Sequence, residues 1–265
     1  MKDSGGYESC PFVAEFYDQL PAYRNRPDIL FYVHAAREAS GPVLEIGCGT
    51  GRVLIPIARE RIAITGLDSS PHMLAKCRES LSTEPEPIRS CAKLIQADMR
   101  RFDLDSTFNL VIVPFRAFQH LTTVEDQCSC LGAIHAHLSA KGKFILDIFN
   151  PWLVSLTESN SGRELGPDGE FTTQDGRKVV RWHKFARKDL FNQINYMEMI
   201  YYVTWPDGRQ DRLVHSFPLR YLFRFEVEHL LYRCGFRLLQ VYADYEQNPY
   251  GSAYPGELVV VAEKA

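Results

Sequence analysis

Glu45, Gly47, Gly49 and Gly51 follow one another at alternate positions, Glu45 inside the mostly apolar run Val43 to Ile46 and the glycines behind it, and Asp68 closes the next apolar run. Glycines so spaced let a backbone turn with positive φ and approach a ligand more closely than a Cβ permits. The helix that follows offers unpaired N–H groups to an anion. Asp68 lies 68 − 47 = 21 residues past the first glycine, at a strand tip, where a carboxylate can accept both hydroxyls of a ribose. The set points to a nucleotide cofactor. A dinucleotide fingerprint wants glycine at its first, third and sixth positions; counted from Gly47 the sixth is Arg52, and the third glycine comes one place early at Gly51. A nicotinamide dehydrogenase is therefore disfavoured.

Elements must hold such a loop in place, and the hydrophobic pattern supplies them. Val43 to Ile46 predicts a strand, Arg52 to Arg61 a helix and Ile62 to Leu67 a strand; Pro71 then opens a helix that Asp68, Ser69 or Ser70 can cap. Strands over 92–97, 108–113 and 143–149, with a helix over 122–138, continue the alternation into a doubly wound α/β, Rossmann-like sheet. Ahead of it, Phe12, Phe16, Tyr17 and Leu20, then Ile29, Leu30, Tyr32, Val33 and Ala36, predict two amphipathic helices. Between 156 and 222 the period changes to that of long strands, 178–187, 191–204 and 209–219, with Asp-Gly turn signals. These predict an antiparallel insertion after the fifth strand, a lid or a dimer interface. A helix over 225–233 and strands over 236–242 and 258–262 return the chain to its sheet. The domain reading is a core of 1–155 and 223–265 with an N-terminal helical cap, and a β insertion of 156–222. Ser80 to Pro87 and Ser159 to Gly169 read as linkers.

With these elements laid out, the residues resemble the class I S-adenosylmethionine-dependent methyltransferases. Their motif Glu/Asp-x-Gly-x-Gly-x-Gly is met by Glu45, Gly47, Gly49 and Gly51, and the likeness runs through most of the chain. It implies that the glycine loop wraps the methionyl and ribose portions of S-adenosylmethionine and that Asp68 holds the ribose. Asp98, within Gln96-Ala97-Asp98-Met99, would meet the adenine amine. Gly66 to Leu74 resembles the family's second-strand region, which brings in Ser69 and sets Met73 beside adenine; Met99 joins Asp98. Glu45 would serve the cationic side of the cofactor. Arg24 and Arg26 are candidates for its carboxylate, against an ordinary solvated-surface role, and Tyr17 is a candidate lid residue.

The resemblance also implies that the acceptor lies beyond the fourth strand, in Val113 to His120. Phe115 would border the cofactor, and Arg116 and Gln119 would meet a substrate. His120 is a candidate general base for a hydroxyl or ammonium, since an imidazole titrates near neutrality; the alternative is a histidine packed below the cofactor on a backbone carbonyl. The expected reaction is in-line methyl transfer to an oxygen or nitrogen of a small molecule. Methylation of RNA or protein, and cofactor binding without catalysis, are the alternatives. The insertion's Trp182, Tyr196, Tyr201, Tyr202 and Trp205, interleaved with Arg181, His183 and Lys184, suit a ligand cover and equally a half-buried sheet or a homodimer contact.

Other signals bound the reading. Cys128, Cys130, His135 and His137 resemble zinc ligands, but residues two apart on a helix point about 200° apart, so no metal is expected. Asn248-Pro249-Tyr250 and Asn150-Pro151-Trp152 lie behind the wrong strands for a nucleic-acid amino-methylation motif. A chain of 265 residues, 45% hydrophobic and 24% charged, has material for a sizeable core. Its net charge of −3 offers polyanions no general attraction. No apolar run approaches the roughly 18 residues of a membrane span, and Met1 to Gly6 lacks a signal core, which predicts a cytoplasmic protein; the seven cysteines read as reduced thiols.

Overall fold

The computed structural model describes residues 6–265, so most of the Met1 to Gly6 segment read for a leader lies outside the described residues. The chain divides into two compact units, one of residues up to Arg26 with Leu153–Arg220, the other of Pro27–Trp152 with Tyr221–Ala265. In chain order the elements are α1 (Pro11–Tyr17), α2 (Pro21–Arg24), α3 (Asp28–Ala39), β1 (Val43–Ile46), α4 (Leu54–Arg59), β2 (Ile64–Asp68), α5 (Pro71–Ser82), α6 (Glu86–Arg89), β3 (Ala92–Gln96) and β4 (Phe108–Val113). They continue with a 3₁₀ turn (Ala117–His120), α7 (Val124–His137), β5 (Leu138–Phe149), α8 (Leu153–Thr157), β6 (Glu164–Thr172), β7 (Lys178–Asp189), β8 (Ile194–Thr204), β9 (Gln210–Arg220), α9 (Arg224–Arg233), β10 (Phe236–Tyr242) and β11 (Glu257–Lys264).

The larger unit is built on one seven-stranded sheet, ordered β10-β11-β5-β4-β1-β2-β3. Strands β3, β2, β1, β4 and β5 run parallel, and β11 pairs antiparallel with both β5 and β10. Every residue of β1 is buried, as is all of β4 but Asn109, as expected where helices cover both faces. One apolar cluster joins Leu44, Val111, Leu131, Phe144 and Phe236. The other joins Val43, Leu54, Leu74, Leu110 and Val259. Each fully buried aliphatic side chain contributes roughly 1.5–3 kcal/mol. Local signals set the helix starts: Ser70 Oγ accepts the Met73 N–H at 3.3 Å with Pro71 in the first turn, and Thr123 Oγ1 accepts the Asp126 N–H at 3.1 Å. Strand β1 is flanked by β2 on one side and β4 on the other, so chain progression reverses there. A crevice opens at such a switch point beyond the carboxyl ends of the strands.

The smaller unit is the antiparallel sheet β6-β7-β8-β9 with α1 and α2. Phe16 and Leu20 pack on Val179, Tyr201 and Val203, so aromatic burial ties the leading helices to this sheet. Two linker expectations are corrected. Glu164 to Thr172 is a strand; its ladder slips between Leu165 and Gly169, and this irregularity erases the period-two pattern that would have announced it. Helix α5 runs to Ser82 and α6 begins at Glu86, leaving a three-residue connection inside the supposed linker 80–87. The leading segment forms three helices rather than two, the extra one being a single turn opened by Pro21. Among the described residues no helix is long and apolar enough to cross a membrane.

Candidate active site

The β1–α4 loop is shaped by backbone pairing to β2. Leu67 O accepts the N–H groups of Gly47 and Cys48 at 2.7 and 3.0 Å, and Gly51 N–H donates back to Cys48 O. Gly47, Gly49 and Gly51 all have positive φ. An added Cβ at Gly49 would meet no protein atom within 4 Å, whereas one at Gly51 would meet Cys77 Sγ at 2.6 Å. The loop is thus closed toward the core and open at Gly49. Asp68 is fixed beside it: Oδ2 accepts the Gly49 N–H and Oδ1 the Ser70 N–H, each at 2.8 Å. Both carboxylate oxygens are thereby held at the tip of β2, beside the loop.

Three carboxylates and one guanidinium surround the loop. Asp28, fully buried at the start of α3, takes both Arg52 Nη groups at 2.6 Å, and the Arg52 guanidinium lies 4.9 Å from the centre of the Phe115 ring. Glu45 is 2% exposed, and its Oε2 has no hydrogen-bond partner among the described residues. Burial holds the Glu45 carboxyl well above the usual range, Arg52 opposes this, and Asp28 and Asp68 reinforce it. Burial and the Glu45 charge also push the Cys48 thiol up, which leaves it a poor nucleophile.

The other expected residues of the larger unit follow the ends of β2, β3 and β4. Ser69 is half-buried and its carbonyl accepts Gln96 Nε2. Met73 is buried, and Met99 packs against the core. Asp98 is engaged by Arg100, whose Nε lies 2.9 Å from both carboxylate oxygens; those hydrogen bonds hold the Asp98 carboxyl below its usual range. At the tip of β4, Phe115 and Arg116 take left-handed conformations, φ 53° and 67°. The Arg116 charge is met by Glu257 at 3.0 Å and its guanidinium lies over Phe149. His120 is half-buried at the end of the 3₁₀ turn. The expectation that Gln119 meets a substrate is corrected: it is fully buried, and its Oε1 accepts the Phe149 N–H at 3.1 Å, tying the turn to β5. Tyr17, Arg24 and Arg26 belong to the smaller unit, where Tyr17 packs on Tyr23. His137, one of the zinc-like residues, accepts the Leu104 N–H on Nε2 and has Nδ1 against Ala133 O.

The sequence reading passed over Asp28, Arg52 as a partner, and Asp147. Asp147, on β5, is fully buried and accepts hydrogen bonds from the Phe115 and Arg116 amides and from the hydroxyls of Tyr32 and Tyr245. An acid inside the apolar run Phe144 to Phe149 was the one signal that could have found it.

Comparison with known proteins agrees with this geometry. Residues 43–142 match the family model described as a methyltransferase domain. The putative methyltransferase YqeM of Bacillus subtilis (strain 168) is 27% identical over 233 residues, 88% of each chain. The chain thus carries a methyltransferase domain over residues 43–142 and is similar along most of its length to methyltransferases. The dTDP-3-amino-3,4,6-trideoxy-alpha-D-glucopyranose N,N-dimethyltransferase of Streptomyces venezuelae is 28% identical over 154 residues, 58% of this chain and 59% of that one. Among solved structures, the CcbJ methyltransferase from Streptomyces caelestis superposes with a TM-score of 0.78 at 23% identity, covering 99% of both chains. This methyltransferase therefore shares its fold, antiparallel sheet included, with that protein. Two features of the loop fit S-adenosylmethionine, the molecule bound in the solved structures of CalS10 and MtfA, whose fold this chain resembles. The cradle is open where a Cβ at Gly49 would stand, and the buried Glu45 oxygen left over beside it suits a group bearing sulfonium and ammonium cations.

Proposed function

We propose that this enzyme methylates a nitrogen or oxygen of a small molecule, and that the favoured acceptor is the amine of a nucleotide-linked amino sugar. The observation that carries the cofactor half is the Asp68 carboxylate, pre-fixed by the Gly49 and Ser70 amides beside an open glycine cradle. The sugar N,N-dimethyltransferase similarity supports the acceptor half. When bound, the cofactor supplies an electrophilic methyl on a sulfonium. In this reading Gly47, Gly49 and Gly51 let the backbone close on it, Asp68 takes the ribose diol, and Glu45 faces the cationic side. Ser69, Met73, Asp98 and Met99 line the adenosyl side, and Phe115 borders the cofactor. Displacement of this kind needs orientation and water exclusion more than covalent help from the protein. His120 is our choice of proton acceptor, supported by its half-buried place at the end of the 3₁₀ turn. A homodimer through the β6–β9 sheet is part of the proposal, supported by the exposed Leu190 and Phe191 on its β7–β8 hairpin.

Calorimetry with S-adenosylhomocysteine tests the cofactor assignment. We expect Asp68→Asn to weaken binding at least tenfold, about 1.4 kcal/mol; unchanged affinity removes the ribose role. Transfer of labelled methyl from S-adenosylmethionine to a panel of nucleotide-linked amino sugars, simple amines and alcohols, RNA and protein tests the acceptor. Label appearing in RNA or protein, with none in the small molecules, overturns it.

A further inference from the structure

We infer that Asp147 is a positioning residue for methyl transfer, its carboxylate fixing the Phe115–Arg116 turn on which the acceptor side of the site is built. The inference rests on the assignment of the β4 tip to the acceptor.

The geometry is unusual for a sheet interior. Asp147 is fully buried between Leu146 and Ile148, and it receives four donors from three separate segments. Oδ2 accepts from the Tyr245 hydroxyl at 2.8 Å, the Tyr32 hydroxyl at 3.0 Å and the Phe115 amide at 3.0 Å; Oδ1 accepts from the Arg116 amide at 3.2 Å. A buried carboxylate without such donors costs several kcal/mol, so a residue kept only for packing would be apolar here. Burial, then the Asp147 charge, raises the Tyr32 phenol well above its ordinary value, which keeps it a donor.

The two amides belong to consecutive non-glycine residues in the left-handed region, φ 53° and 67°. That region is unfavourable for a residue with a Cβ, and strain of this kind persists only where the surroundings over-determine it. Successive amides in such a turn form a concavity that accepts an anion, and here the anion is the Asp147 side chain. What the turn sets is the distance between the cofactor loop and the acceptor side. It carries the Phe115 ring to within 4.9 Å of the Arg52 guanidinium, and it seats Ala117 so close to the glycine loop that a Cβ on Gly47 would lie 2.8 Å from the Ala117 Cβ. Loosening the turn therefore disturbs alignment for transfer while leaving the Asp68 contacts untouched.

The test is Asp147→Asn, near-isosteric but holding one acceptor oxygen in place of two. In amide hydrogen exchange we expect Phe115 and Arg116 to lose at least tenfold in protection while the β1 amides keep theirs. S-adenosylhomocysteine affinity should stay within threefold. With an amino-sugar acceptor, kcat should fall at least thirtyfold with KM for S-adenosylmethionine held within threefold. Wild-type protection and wild-type kcat in the variant overturn the inference, as does a fall in affinity that matches the fall in kcat, since that would be general loosening. If Asp147→Asn fails to fold, Tyr245→Phe, which removes one donor, should lower kcat three- to tenfold at unchanged affinity, and an unchanged kcat rejects the idea. A wild-type protein that does not bind S-adenosylhomocysteine would instead defeat the cofactor assignment, a separate failure.

Discussion

A carboxyl group as deeply buried as Glu45 holds its proton longer in the folded protein than in the unfolded chain. The unfolded value is near 4.3 and the folded one lies above it. Stability from this group is therefore complete below that pH and is lost as pH rises through the folded value. Glu45→Gln, neutral at every pH, should remove the loss. As pH rises above the unfolded value and through the folded one, the variant's melting temperature should climb relative to wild type, by about 2–4 °C for each kcal/mol recovered. Scanning calorimetry across that range is the check, and parallel curves would show that Glu45 does not titrate there. At this scale the sequence was legible wherever a residue's neighbours in the chain are also its neighbours in space. The three glycines form that kind of group, and Asp68 joins them because β2 pairs directly with β1. Gln119 misled because its burial depends on Phe149, a strand away, and Asp147 escaped notice because its donors lie as far off in the chain as Tyr32 and Tyr245.

Helix α3 and the glycine loop are joined by the Asp28–Arg52 pair, and the two side chains are 0% and 10% exposed. Removing one member of a buried pair strands the other charge in a medium that solvates it poorly, at about 3–5 kcal/mol, whereas removing both is often close to neutral. We expect Arg52→Leu to lower unfolding stability by about 3–5 kcal/mol in urea titrations, and Asp28→Leu added to it to restore most of the loss. An additive double variant would show that the two residues act separately. Strands β1, β2 and β4 matched their hydrophobic runs closely because buried parallel strands leave continuous apolar signatures. Strand β6 left none: Gly166, Pro167, Asp168 and Gly169 interrupt its ladder, and turn-forming residues there look like a connection.

At the level of the whole molecule, the smaller unit presents a conspicuous apolar tip, with Phe191 fully exposed and Leu190 half-exposed on the β7–β8 hairpin. If two copies join through this sheet, light scattering should give twice the chain mass, and Phe191→Asp should return it to the mass of one chain; a wild-type monomer at every concentration would leave the tip unexplained by self-association. Sheet order carries a consequence for biosynthesis. Strand β11 is formed by residues 257–264 yet lies inside the sheet, between β5 and β10. Until that segment has left the ribosome, β5 exposes a long unpaired edge and β10 has no partner, so the nascent chain passes through a stage open to sticking to other chains. Premature termination just short of Glu257 would therefore release a polypeptide carrying every residue of the cofactor loop but prone to clump.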